Sequence, residues 1–167
     1  MSDLYTEVMV EKKFTGKEMA IKVGLIFLTV LAAVAGLIFF PPALIVALVL
    51  GVLDYFIIPK LNVEYEYLYV NGELDIDKIY SRTKRKKGSS LNLGKMEIMA
   101  PVNSHQLDSY KNNPNIKTLD YSSGLPDAKV FAMIIPSEKE MLRVLFEPND
   151  IMIKDIRSKM PRKVFID

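Results

Sequence analysis

Apolar positions along this chain follow three patterns, and each predicts a different kind of element. From Val23 to Phe40 the stretch VGLIFLTVLAAVAGLIFF carries no charge, and from Ala43 to Ile58 ALIVALVLGVLDYFII carries one, Asp54. Neither has a polar face at 3.6-residue spacing, so neither reads as a helix of a water-soluble core. At ~1.5 Å per residue the first reaches ~27 Å, close to the ~30 Å of a hydrocarbon core. The second, ending at Pro59-Lys60, is slightly shorter. Pro41-Pro42 predicts a tight turn between them, because Pro42 biases Pro41 away from helix. Residues 21–59 therefore read as a transmembrane helical hairpin. A secretory signal fits poorly, since the apolar stretch runs on past the proline pair.

After the hairpin the period drops to two. In NVEYEYLYV, Val63, Tyr65, Tyr67 and Tyr69 fall on one face and Glu64, Glu66, Leu68 and Val70 on the other. Asn71-Gly72 follows, a strong hairpin signal because both residues tolerate positive φ. The return strand begins at Glu73-Leu74-Asp75-Ile76, and Gly88-Ser89-Ser90 reads as its closing turn. SLNLGKMEIMAPV predicts a third strand with a bulge or break near Gly94. Segments 116–121, 129–135 and 141–146 predict three more. The third pattern comes last: Asn149 is a candidate cap for a helix whose Met152, Ile153, Ile156 and Met160 form one stripe, ended by Pro161. Residues 60–167 thus read as one β-rich domain closed by an amphipathic helix. Residues 1–20 stay open: Leu4, Thr6, Val8 and Val10 alternate, which suits an extra strand of the same sheet, an interfacial helix or a frayed tail.

Charge narrows the function classes. With 22 basic and 20 acidic side chains the net charge is +2, below what a nucleic-acid-coating domain carries. There is no Cys and a single His, His105, which excludes disulfides, thiolate chemistry and a His-rich metal site. No cofactor is implied. Lys12, Lys13, Lys17 and Lys22 precede the first helix and Lys60 follows the second, so the expectation is a multi-pass protein of the bacterial inner membrane with both termini and the soluble domain cytoplasmic.

The stretch from Val63 to Lys111, with VLFEPND and PRKVF further on, resembles a family of small two-helix bacterial membrane proteins sharing a domain of unknown function. More loosely, the hairpin-anchored strands are similar to bacterial pleckstrin-homology-like domains. The resemblance implies an α+β membrane protein: a transmembrane hairpin, then a bent sheet or barrel of six to seven strands closed by a C-terminal helix. It implies no particular activity.

SRTKRKKGSS supplies the main candidate site, with Arg82, Lys84, Arg85, Lys86 and Lys87 inside six positions. Such a run suits a solvated sheet edge, anionic headgroups or an acidic protein partner. The strand after Asn71-Gly72 heads back toward Lys60, which aims the run at the membrane. Asp54 is the intramembrane polar candidate. Pairing with Lys22 or Lys60 is the ordinary reading, contact with a partner protein or a second copy the next, and ion handling the last. Ser104-His105 with Asp108 or Asp120 resembles a nucleophile arrangement only in composition, because neighbouring side chains point apart. No nucleotide-binding or metallohydrolase motif is present. The reading is a membrane-anchored interaction module, not an enzyme, contacting anionic lipid or a membrane protein. The alternative is an accessory subunit of a transporter or channel that oligomerises through the hairpin.

Overall fold

A computed structural model describes residues 5–111, 113–137 and 140–166. Its first element, β1 (Tyr5–Glu11), answers the question left open at the N-terminus. It pairs antiparallel with β2 (Val63–Val70) in an unbroken register from Tyr5 opposite Val70 to Glu11 opposite Glu64. Leu4 lies outside the described residues. The two apolar helices, α1 (Gly16–Ile38) and α2 (Ala43–Leu61), are therefore an insertion in the connection between two neighbouring strands. Lys12 N–H donates to the Val63 carbonyl of β2 at 3.0 Å and Lys13 N–H to that of Ser123, in the loop after residue 120, at 2.7 Å, so the chain stays tied to the domain until it nears α1. Thr15 starts that helix with a capping box: its hydroxyl accepts from Glu18 N–H, and the Glu18 carboxylate accepts from Thr15 N–H.

With 23 and 19 residues, α1 and α2 are long and apolar enough to cross a membrane. The turn between them is as short as Pro41-Pro42 predicts, and Gly36 lets the helices close on it. A Cβ there would come 2.8 Å from the Leu44 backbone nitrogen. Thr29 donates its hydroxyl to Asp54 Oδ2 at 2.7 Å across the pair. The expected lysine partners of Asp54 are thus replaced by a hydroxyl of the facing helix. Lys22 instead places its ammonium 4.9 Å from the centre of the Phe14 ring. The second helix also runs past its expected end, through Pro59 to Leu61. A proline in a last turn removes one helical hydrogen bond but leaves the chain free to finish.

The remaining strands form two four-stranded sheets. The first has the order β1-β2-β3-β4, all antiparallel, with β3 at Glu73–Tyr80 and β4 at Lys84–Asn92. Asn71 and Gly72 turn β2 into β3 with φ of 50° and 91°. The second has the order β5-β7-β8-β6, with β5 at Ile98–Pro101, β6 at Ile116–Asp120, β7 at Phe131–Pro136 and β8 at Met141–Phe146. Within this sheet β6 and β8 run parallel and the other pairs antiparallel. A single-turn helix, α3 (Asp108–Lys111), lies between β5 and β6. The chain ends in α4 (Asp150–Lys159), whose Asn149 cap accepts from Met152 N–H at 2.8 Å.

The main core lies between the sheets and under α4. Tyr65, Tyr67, Tyr69, Leu74, Ile76 and Leu91 from the first sheet meet Met133, Val144 and Phe146 from the second and Met152, Ile153 and Ile156 from α4. The tyrosine face foreseen in β2 is this core face. Two hydroxyls reach across it: Tyr67 donates to the Tyr121 carbonyl at 2.6 Å, and Tyr69 to Asp155 of α4 at 2.5 Å. Burial pushes the Tyr65 and Tyr69 hydroxyls up to about 12.

One expectation fails at Gly88. The strand does not turn there; it turns at residues 81–83, where Ser81 and Arg82 take φ of 46° and 58°. Gly88 lies inside β4 at a bulge, opposite the register shift between Ile76 and Asp77. The basic run is therefore a strand, not the tip of a loop. Among the described residues that raises the strands after the hairpin to seven, since β4 and β5 are separate strands divided by a 3-10 turn at Leu93–Lys95.

Candidate functional site

The β3–β4 turn is bonded to the end of α2. Ser81 N–H donates to the Asn62 carbonyl at 2.9 Å, and the Ser81 hydroxyl donates to the Pro59 carbonyl at 3.1 Å. Antiparallel pairing of Tyr80 with both Val63 and Lys84 puts the start of β4 level with the exit from the helix. The basic run thus begins at the helix end of the domain.

Pleating then divides the five cations. Successive strand residues face opposite sides, and cross-strand partners share a side. Lys84 is opposite Tyr80 and Lys86 opposite Lys78, on the side that carries the core. Arg85 is opposite Ile79 and Lys87 opposite Asp77, on the outer side. The outer side also carries Glu64 and Glu66, which are only 6% and 4% exposed although they face away from the core. The arginines cover them. Arg82 Nε lies 2.7 Å from Glu64 Oε1, while the Arg85 guanidinium contacts Glu66 and lies 3.9 Å from Asp77. Burial raises the Glu66 carboxyl above its usual range, and the Arg85 charge opposes that rise.

The lysines have no such partners. Among the described residues, Lys60, Lys84, Lys86 and Lys87 make no ion pair with a carboxylate. Lys78, directly across from Lys86, directs its ammonium over the Tyr121 and Tyr65 rings, 5.3 and 6.0 Å from their centres. Lys84 and Lys86 line a groove of about 820 Å³ whose opposite wall is Tyr55, Phe56, Pro59 and Lys60 of α2 and whose floor includes Tyr80 and the Ser81–Thr83 turn. Arg85 borders it with its charge already engaged.

Sequence reasoning grouped the cations as one cluster; the pleat makes them two arginines spent on internal carboxylates and three lysines left over. It missed Tyr55 and Phe56, though an aromatic pair just before a lysine at a helix end is an interfacial signal. It placed Glu64 and Glu66 on the face opposite the tyrosines without foreseeing their burial, which comes from arginines of the β3–β4 hairpin reaching across that face. Asp54 lies away from the groove: its Oδ2 faces Thr29, and its Oδ1 has no hydrogen-bond partner among the described residues.

The serine-histidine arrangement does not assemble. Ser104 caps its own turn through Gln106 N–H, His105 reaches Asp108 at 3.3 Å, and Asp120 accepts from Ser122. The His105 side chain is fully exposed, at the rim of a separate groove of about 620 Å³ that also includes Arg157.

No curated protein and no solved structure matches the chain. A family model does, over residues 2–166, a span that takes in both sheets and the two apolar helices: the chain belongs to the family described as Bacterial PH-like domain (DUF6106).

Proposed function

We propose that this protein is a non-catalytic binding module of the bacterial inner membrane, anchored by α1 and α2, whose cytoplasmic domain rests its basic β3–β4 hairpin on anionic lipid headgroups. Membership of a PH-like family supports a binding role. The observation that carries the lipid reading is the tie between the β3–β4 turn and the last turn of α2, through Ser81. It keeps Lys84 and Lys86 near the helix end, where a bilayer surrounding α2 would present its headgroups. Lysines near an anionic surface contribute ~1 kcal/mol each, and the effect fades within a Debye length, ~8 Å at physiological salt. The lysines around α1 give the cytoplasmic orientation, since the turn at Pro41-Pro42 carries no charge.

Hydrogen exchange on the full-length chain in nanodiscs tests this. The full chain is needed because β1 precedes α1 and forms the edge of the first sheet. Amides of residues 81–87 are expected to exchange more slowly in discs rich in phosphatidylglycerol than in phosphatidylcholine discs, with the difference shrinking at high salt. Equal exchange in both lipids overturns the reading.

A further inference from the structure

We infer that the groove between α2 and the β3–β4 hairpin is a discrete site for one anionic glycerophospholipid molecule, with its phosphate between Lys60, Lys84 and Lys86 and an acyl chain along Tyr55 and Phe56. This rests on the membrane reading above and goes beyond it, because a basic surface alone would attract headgroups without holding any one of them.

Three observations select a single occupant of that chemistry. First, the three lysines that line the groove lack carboxylate partners among the described residues. Nearby carboxylates are absorbed by Arg82 and Arg85 on the other side of the sheet, so nothing within the described chain neutralises Lys60, Lys84 and Lys86. Second, Lys86 stands directly across from Lys78. Like charges in that position repel, and the Lys78 ammonium is turned toward Tyr121 and Tyr65. An anion beside Lys86 would compensate that repulsion. Third, the walls differ in character. One is the apolar and aromatic flank of α2, where Tyr55 and Phe56 are largely exposed; the other is the lysine strand with the hydroxyl-bearing turn. An anion with a hydrocarbon tail matches both walls, whereas inorganic phosphate or an acidic peptide matches only one. A headgroup with its own ammonium would meet three lysines, so phosphatidylethanolamine is disfavoured and phosphatidylglycerol suits.

Native mass spectrometry of the full-length chain in detergent, titrated with phosphatidylglycerol, phosphatidylethanolamine or phosphatidylcholine, reads the result. Phosphatidylglycerol is expected to saturate at one retained molecule per chain. The Lys84→Gln/Lys86→Gln double variant should weaken it by about tenfold or more, the loss expected when two near-surface cations are removed. Lys87→Gln, on the other side of the sheet, should change it by no more than about twofold, since its charge is turned away from the groove. Binding that prefers phosphatidylglycerol but never saturates, or falls equally with Lys87→Gln, overturns the site while leaving the general anionic-surface reading standing. No preference for phosphatidylglycerol over phosphatidylcholine in the wild-type chain overturns both.

Discussion

Tyr67 and Tyr121 join the two sheets through one hydrogen bond, from the Tyr67 hydroxyl to the Tyr121 carbonyl at 2.6 Å, in a core where Tyr67 has no exposed surface. The same hydroxyl accepts from Glu147 N–H at 3.3 Å, and the Tyr67 ring meets Phe146 edge-on with centroids 5.9 Å apart. Tyr67 thus links β2, the strand that follows the apolar helices, to the segments following β6 and β8. Tyr67→Phe keeps the ring and removes the hydroxyl, leaving a carbonyl and an N–H without that partner. A loss of ~1–3 kcal/mol is expected from unsatisfied buried groups. Chemical denaturation of the full chain in mild detergent, followed by circular dichroism, measures it. An unchanged midpoint would mean that the two backbone groups find other partners.

Gly88 separates what the sequence shows from what only the fold shows. Glycine beside two serines is a turn signal, yet here the backbone passes so close to β3 that a Cβ would stand 2.4 Å from the Ile76 carbonyl oxygen. Gly88→Ala is expected to cost ~1–3 kcal/mol, the range for forcing extra volume into a packed site. Because the bulge sets which side of β4 each cation faces, the variant should also disturb the Arg85 contacts. A crystal structure or an amide exchange map of the variant would show β4 shifted relative to β3.

The elements written in strong periodic patterns were legible. The long apolar runs marked α1 and α2, the tyrosine alternation marked the core face of β2, Asn71-Gly72 marked its turn, and the Met152, Ile153, Ile156 stripe marked α4. What stayed illegible depends on contacts distant in sequence. The pairing of β1 with β2 spans the whole helical hairpin, and no local pattern distinguishes a strand from a frayed tail there. The division of the basic run needed the register of β4 on β3, which the Gly88 bulge shifts by one residue. The partner of Asp54 is a threonine 25 residues earlier, and a search for lysines passes over it.

Glu66 and Arg85 give a pH-dependent prediction. The Glu66 carboxyl is raised in the folded protein, mainly by burial, with Arg85 pulling the other way. Arg85→Gln removes that counterweight, so the folded-state value rises further. An acid whose folded pKa exceeds its unfolded value, ~4.3 for Glu, stabilises the fold when protonated and loses that contribution as pH rises through the folded value. The Arg85→Gln deficit should therefore be larger at pH 8 than at pH 5. Arg85 is 55% exposed, which keeps the loss at pH 8 well below the 3–5 kcal/mol of a fully buried broken pair, at about 1–2 kcal/mol. Adding Glu66→Gln should recover much of it and flatten the pH dependence. Unfolding midpoints of the three variants against pH decide the matter, and a pH-independent deficit would mean that Glu66 does not titrate in this range.

Thr29 and Asp54 make a test of the helical hairpin by itself. Their contact lies between facing apolar helices, and where such helices sit in a bilayer, hydrogen bonds of this kind contribute ~0.6 kcal/mol on average. Asp54→Asn retains an oxygen that can accept from the Thr29 hydroxyl, so the hairpin should keep its stability. Thr29→Val removes the donor at nearly constant shape and should lose about that average, leaving the carboxylate with neither oxygen satisfied within the hairpin. If Asp54 instead served a partner protein, Asp54→Asn would disrupt an assembly while Thr29→Val would not. Comparing the two variants by resistance to a denaturing detergent and by size-exclusion in a mild one separates these outcomes. Equal stability of wild type and Asp54→Asn, with a weaker Thr29→Val and one unchanged elution volume, is the result expected of a bond internal to the hairpin.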